Sequence, residues 1–286
     1  MWLKITIGIL FLLSLVGAFA IQPASVRKGS NAHESSANDN GKRLRLLSWN
    51  IGNGDLEAET RAHDDDLQAV AEVILGKDVD AVALQELTGP DQLKLLLLQL
   101  HNRYRGYVSE RGAGDRVEAV LVKNEDSARF SNVPTASRSA AAATFRLRKD
   151  LPELVLVSAH ADAFNASRRR TYAADVVDWA RSHGKGGAAF IAGDFNLEVS
   201  TRTRNNLFTD DAKHDSETYA YLLKYFDDLG RDAGETSIND RRIDYILGQT
   251  STATLQKAEV LRSASVGRMD HWPLLVEVML ETRTVP

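Results

Sequence analysis

Short apolar runs recur along this chain, and one after another ends in an acid, a carboxamide or an imidazole. Leu44 and Leu46 lead into Trp49-Asn50, and Ala81–Leu84 runs into Gln85-Glu86. Leu154–Val157 leads to Ala159-His160, and Ala188–Ala192 opens into Gly193-Asp194-Phe195-Asn196. Arg242-Ile243-Asp244-Tyr245 and Met269-Asp270-His271-Trp272 border the runs Ile243–Leu247 and Leu274–Leu280. A chain patterned this way is held to a sheet-based fold whose strands release functional side chains onto a rim. A hydrophobic core has no use for acids and histidines at so many strand ends. A site that binds a hard cation and moves protons does.

Helical spacing lies between the runs. Asp64-Asp65-Asp66 places negative charge at a helix start, and Leu67, Val70, Ala71 and Ile74 follow before Gly76. Asp91–Leu100 after Pro90 and Ser167–Ser182, with Tyr172, Val176 and Trp179 on one face, predict two more helices. Val117–Val122 and Thr144–Arg148 read as further strands, while Ala140–Ala143 reads as a low-complexity tract. Strands outnumber helices, and some neighbouring strands have links too short for a helix. The expectation is a mixed α/β layered sandwich rather than a purely parallel doubly wound sheet.

The chain has 286 residues and no cysteine, so disulfides, thiolate catalysis and cysteine-ligated zinc are excluded. Its formal net charge of −4 argues against a sequence-independent nucleic-acid coat protein. That charge still permits an enzyme that meets nucleic acid through a bound cation and a local basic patch. Lys4, the apolar run Ile5–Ile21 and Ala18-Phe19-Ala20 read as an export segment with a small-residue cleavage site. Residues 1–20 are taken as a signal peptide, 21–42 as a flexible polar linker and 43–286 as one catalytic domain. The expected location is exported, secreted or periplasmic. Anchoring by an uncleaved N-terminal segment is the alternative and would be the chain's one route to a membrane.

Read alone, Glu86 is either a salt-bridged strand-end acid or a metal ligand, since a buried carboxylate is costly unless paired or coordinated. Asn50 alone is equally a turn residue. Asp194 and Asn196, two positions apart, point the same way in extended backbone and would hold one water or phosphate oxygen between them; a simple Asx turn is the other reading. Asp270-His271, with Asp244 upstream, fits a carboxylate–imidazole pair. His160 and His271 border strand runs beside acids, unlike His33, His63, His101, His183 and His214.

The ordered set resembles the endonuclease/exonuclease/phosphatase superfamily from Leu46 to Val278. That group includes pancreatic-type deoxyribonucleases, abasic-site endonucleases, neutral sphingomyelinases and inositol polyphosphate phosphatases. The resemblance implies a four-layered sandwich, with two mixed sheets packed face to face and helices outside. It implies that Asn50, Glu86 and Asp270 belong to the metal site, with Mg2+ as the ion and Mn2+ as the alternative, because all these ligands are oxygen. By the same carry-over Asp194 positions or deprotonates the attacking water and Asn196 supports water and phosphate. His160 contacts the scissile phosphate, and Asp244 with His271 stabilises the pentacovalent phosphorus. Two departures stand out: the family's usual Thr-His-Leu is Ala159-His160-Ala161 here, and its Ser-Asp-His is Met269-Asp270-His271.

The implied activity is metal-dependent hydrolysis of a phosphodiester, by a secreted endonuclease acting on DNA. The alternatives are a sphingomyelinase-like phosphodiesterase or phosphatase on a lipid or small molecule, and a non-catalytic binding module. Arg116 and Arg168 are candidate substrate-binding residues, with Arg111, Arg169, Arg170, Arg202 and Arg204 nearby in sequence. No protein partner is expected.

Overall fold

The computed structural model describes residues 43–52, 62–112, 114–124, 127–185, 187–199, 212–238, 240–249, 253–264 and 269–280. The expected signal peptide and linker, and Arg202 and Arg204, lie outside them. Six strands form one sheet, in the order β11 (Ala253–Val260), β12 (Leu274–Leu280), β1 (Arg43–Asn50), β2 (Ala81–Leu87), β4 (Val117–Lys123) and β3 (Tyr104–Val108). The second sheet runs β5 (Arg129–Pro134), β6 (Ser139–Phe145), β7 (Leu154–His160), β8 (Ala188–Asp194), β10 (Asp244–Gly248) and β9 (Asp227–Asp228). Each sheet is mixed. β1 and β2 are parallel and joined through helix α1 (Ala62–Gly76), and β7 and β8 are parallel and joined through α3 (Ala166–His183). The remaining pairs are antiparallel. Helices α2 (Pro90–Gln99) and α4 (Ala212–Leu222) complete the described elements.

Three apolar clusters make four layers. Leu67, Val70 and Ile74 of α1 and Leu93 and Leu96 of α2 pack on Leu47, Val82 and Leu121 of the first sheet. Tyr172, Val176 and Val177 of α3 pack on Val155, Ile191 and Leu247 of the second. Between the sheets lie Leu44, Leu46, Ala81, Ala83, Val120, Leu154, Leu156, Phe190 and Ile246. This is the expected α/β sandwich. Among the described residues no helix is long and apolar enough to cross a membrane.

The strand expected over Thr144–Arg148 instead begins at Ser139 and stops at Phe145. The alanine tract is core strand: Ala141 and Ala143 face the other sheet, and Ala140 and Ala142 face the helices. Small side chains suit a strand buried on both faces.

The inter-sheet face explains where the site is. Period-two alternation carries Leu44 and Leu46 on to Ser48 and Asn50, Ala81 and Ala83 to Gln85, and Leu154 and Leu156 to Ser158 and His160. The same alternation carries Ala188, Phe190 and Ala192 to Asp194. β4 and β10 run the other way, so their N-terminal inward residues, Glu118 and Asp244, arrive at the same end. One end of the apolar slab between the sheets is therefore polar.

Candidate active site

Asp194 lies at the centre of that end. Its Oδ2 accepts a hydrogen bond from Asn50 Nδ2 at 3.1 Å and lies 3.7 Å from His160 Nε2 and 3.8 Å from His271 Nε2. Its Oδ1 accepts from the Asn196 backbone N–H at 2.8 Å, which is an Asx turn. Asn196 is not extended: its φ is 51°, and its Nδ2 donates to the Ala161 carbonyl at 3.2 Å. The two side chains share one polar pocket, although the turn, not extended backbone, brings them there. Gly193 permits the sharp exit, because at its φ of 153° a Cβ would lie 1.8 Å from the Ala159 carbonyl oxygen.

Glu86 is placed by a bulge. β2 pairs with β4 at Leu84↔Ala119 and again at Leu87↔Val117, so Gln85 and Glu86 together oppose Glu118. Glu86 takes a φ of 63°, uncommon for a residue with a side chain, and this returns its carboxylate toward the site after Gln85 has already turned inward. Asn50 Nδ2 donates to Glu86 Oε1 at 3.0 Å, and His160 Nε2 is 3.7 Å from the same oxygen. Burial works against the Glu86 charge, but His160 and the Asn50 hydrogen bond outweigh it and hold the carboxyl below its usual range.

Asp244 and His271 form the expected pair, with Oδ2 2.8 Å from Nδ1. Thr236 donates its hydroxyl to the same Asp244 oxygen at 2.6 Å while accepting from the Ile243 and Asp244 N–H groups. Trp49 Nε1 donates to the His271 carbonyl at 3.1 Å. Burial alone would lower the proton affinity of His271. The charge and hydrogen bond of Asp244, with Asp194 and Asp270 behind them, push it up to about 10, so the ring is a fixed cation. Burial, then the Asp244 charge, raise the Asp194 carboxyl above its usual range.

The oxygen donors suit a hard cation. Asp194, Asp244 and His271 have ligand atoms within 4.8 Å of one another. However, Asp244 Oδ2 is already held by Thr236 and His271, so that trio is better suited to handling a proton. Glu86 and Asp270 both line the open cleft, and Glu86 is kept charged. Asn50 Oδ1 accepts from the Gly52 N–H at 2.9 Å and retains a second lone pair. Glu86, Asp270 and Asn50 fit a magnesium-type ion by donor chemistry.

The cleft, about 490 Å³, is lined by Glu86, Asp194, Asn196, Asp270, His160 and His271, and by Arg116, Arg138 and Arg241. Arg138 and Arg241 were not singled out in the sequence. Arg138 donates to the carbonyls of His160 and Ala161 at 3.1 and 3.4 Å, and Arg241 approaches the buried Glu198 at 3.6 Å. Arg168 is not on the cleft wall; it lines a neighbouring recess and lies 3.6 Å from Asp162. Arg169 is buried against Asp215, Arg170 stacks on Tyr221, and Arg111 donates to the Thr135 carbonyl. Glu118 was also missed. It is fully buried, hydrogen-bonded to Ser109 at 2.7 Å, 3.8 Å from His160 Nδ1, and pushed by burial up to about 7.

A family model described as the endonuclease/exonuclease/phosphatase family matches residues 47–267. Among solved structures, a protein of that description from Bacteroides vulgatus is 17% identical with a TM-score of 0.66, the match covering 84% of this chain and 99% of that one. The human nocturnin catalytic domain with bound sulfate is 16% identical at a TM-score of 0.65, over 84% and 95% of the two chains. TDP2 from Caenorhabditis elegans is 18% identical at 0.60, over 84% and 76%. At these identities the likeness concerns the fold. No curated protein matches the chain.

Proposed function

Because the chain belongs to the endonuclease/exonuclease/phosphatase family, whose members hydrolyse phosphoester bonds, we propose that it is a Mg2+-dependent phosphodiesterase acting as an exported endonuclease on DNA. The observation that carries this reading is the convergence of Asn50, Glu86, His160, Asp194, Asp270 and His271 at one end of the inter-sheet core. The arginines of the cleft wall support an anionic polymer as substrate. Lys4 and the apolar run behind it support export.

Hydrolysis brings an anionic nucleophile to an anionic phosphorus. Glu86, Asp270 and Asn50 would hold the magnesium ion, which when bound would supply Lewis-acid neutralisation of the phosphate charge. Asp194, whose proton affinity is raised, orients the attacking water and accepts its proton. His271, held cationic by Asp244, stabilises the charge that grows on the pentacovalent phosphorus. His160 and the Asn196 carboxamide hold phosphate oxygens from the facing side.

The test offers the purified protein plasmid DNA, RNA, sphingomyelin and an inositol polyphosphate, each with Mg2+ and with EDTA. EDTA-sensitive nicking of the plasmid is expected. Lipid cleavage without nicking would replace this reading with a sphingomyelinase-like one, and inertness toward all four would leave a binding module.

A further inference from the structure

One residue at the cleft mouth has no part in the chemistry above. Phe164 lines the cleft yet is 72% exposed, the most exposed of the large apolar side chains among the described residues. A lone exposed apolar side chain is ordinary. This one sits on a segment built to hold it. Asp162 Oδ1 accepts from the N–H groups of Phe164 at 2.8 Å and Asn165 at 2.9 Å. Asn165 in turn caps α3, accepting from the Arg168 N–H at 3.0 Å. The other Asp162 oxygen lies 3.7 Å from Arg138 and 3.6 Å from Arg168. The aromatic ring is thus carried on a short, tied turn between β7 and α3. Ile238, 45% exposed, lines the same cleft and is fixed through its N–H to the Asp270 carbonyl at 2.9 Å.

We propose that Phe164 is a stacking platform for a nucleobase beside the scissile phosphate, with Ile238 as a further apolar contact, so that the enzyme prefers nucleic acid whose bases are unstacked at the cut. This rests on the nuclease reading above. Two considerations select a base as the occupant. Arg116, Arg138 and Arg241 line the same cleft as the two apolar side chains, which matches a ligand carrying phosphates alongside flat apolar faces. The exposed area of Phe164 and Ile238 is too small a surface to seat on a bilayer. An aromatic ring accepts any base, so the platform would favour single strands without reading sequence.

The experiment uses a short single-stranded oligonucleotide in which each nucleotide around the cleavage positions is replaced in turn by an abasic analogue. Wild type, Phe164→Ala and Phe164→Trp are compared with Mg2+ present. For the wild type, losing the base at one position should raise KM about tenfold or more, with kcat little changed. Phe164→Ala should raise KM on the intact oligonucleotide by a similar factor and respond no further to the abasic replacement, and Phe164→Trp should restore the dependence. A flat scan, or an equal effect in wild type and Phe164→Ala, with cleavage intact, would overturn the platform and leave the nuclease reading standing. Absence of cleavage on every nucleic acid would sink both. If Phe164→Ala instead abolished co-sedimentation with sphingomyelin vesicles, the ring would belong to a membrane contact and the platform would be wrong.

Discussion

Glu118 Oε1 and His160 Nδ1 face each other across the two sheets at 3.8 Å, and among the described residues neither atom makes a hydrogen bond. The pair repeats, on the other side of Asp194, the arrangement of Asp244 with His271. It differs in length, and burial holds the Glu118 carboxyl at about 7.

That value has a consequence for stability. An unfolded glutamate titrates near 4.5, whereas the folded Glu118 keeps its proton up to about 7. Between those values the native state binds a proton the unfolded chain has released, so stability falls as pH rises through this window, by on the order of 3 kcal/mol at most. Glu118 is faced by His160 and Tyr172 on the second sheet's side, by Ser109 just after β3 and by Arg138. Glu118→Gln cannot titrate. Urea unfolding of both proteins below and above the window should show the variant gaining on the wild type as pH rises. Parallel pH profiles would contradict the assignment.

In the proposed mechanism the Asp244–His271 pair governs turnover. Asp244→Asn keeps the shape but removes the charge that makes the ring a cation. It should lower kcat roughly 10²–10³-fold with circular dichroism unchanged. Thr236→Val, which deletes one hydrogen bond to the same carboxylate, should cost less, about tenfold. Near-normal turnover in Asp244→Asn would remove His271 from the mechanism.

Much of this was legible in the sequence because the site grows out of strand alternation. Asn50, His160 and Asp194 end buried parallel strands, where a polar residue after an apolar run is conspicuous. Glu118 was not legible. It sits near the start of β4, and recognising it as inward-facing required knowing that β4 runs antiparallel to β2. Arg138 and Arg241 reach the cleft from loops whose course no periodicity encodes. Arg168 fell away from it because consecutive helical residues point about 100° apart, and Arg168, Arg169 and Arg170 therefore diverge. The unanticipated strands β3, β5, β9 and β11 are the four sheet edges. Gly106, Pro134 and the β11 run Thr254-Leu255-Gln256-Lys257 blur the alternation there, and an edge need not be apolar on both faces.

Gly52 leaves room for the proposed metal ligands Glu86 and Asn50 by having no side chain. A Cβ there would fall 2.2 Å from Glu86 Oε2 and 3.0 Å from Asn50 Oδ1. Glu86 would have to swing away, since Gly52 also donates its N–H to Asn50. Gly52→Ala should therefore weaken Mg2+ binding at least about tenfold by isothermal titration, while thermal unfolding of the metal-free protein changes little. Unaltered Mg2+ affinity would mean that Glu86 is not a ligand.

Arg169 tests whether the loop bearing Phe164 is tied to the core. Its side chain is fully buried, with Nη2 2.6 Å from Asp215 Oδ1 and Nη1 donating to the Asp162 carbonyl at 3.0 Å. The ion pair joins α3 to α4, and the carbonyl bond fixes the turn before Phe164. Removing one partner strands a charge away from water, at a cost of about 3–5 kcal/mol, whereas replacing both by apolar residues of similar volume costs far less. Arg169→Met alone should therefore lower the urea midpoint sharply, and Arg169→Met with Asp215→Leu should recover most of the loss. The double variant should still lack the bond to Asp162. If the turn depends on it, amide exchange at Phe164 and Asn165 will be faster than in the wild type even where global stability has returned. Unchanged exchange there would show that Asp162 holds the turn without help from α3.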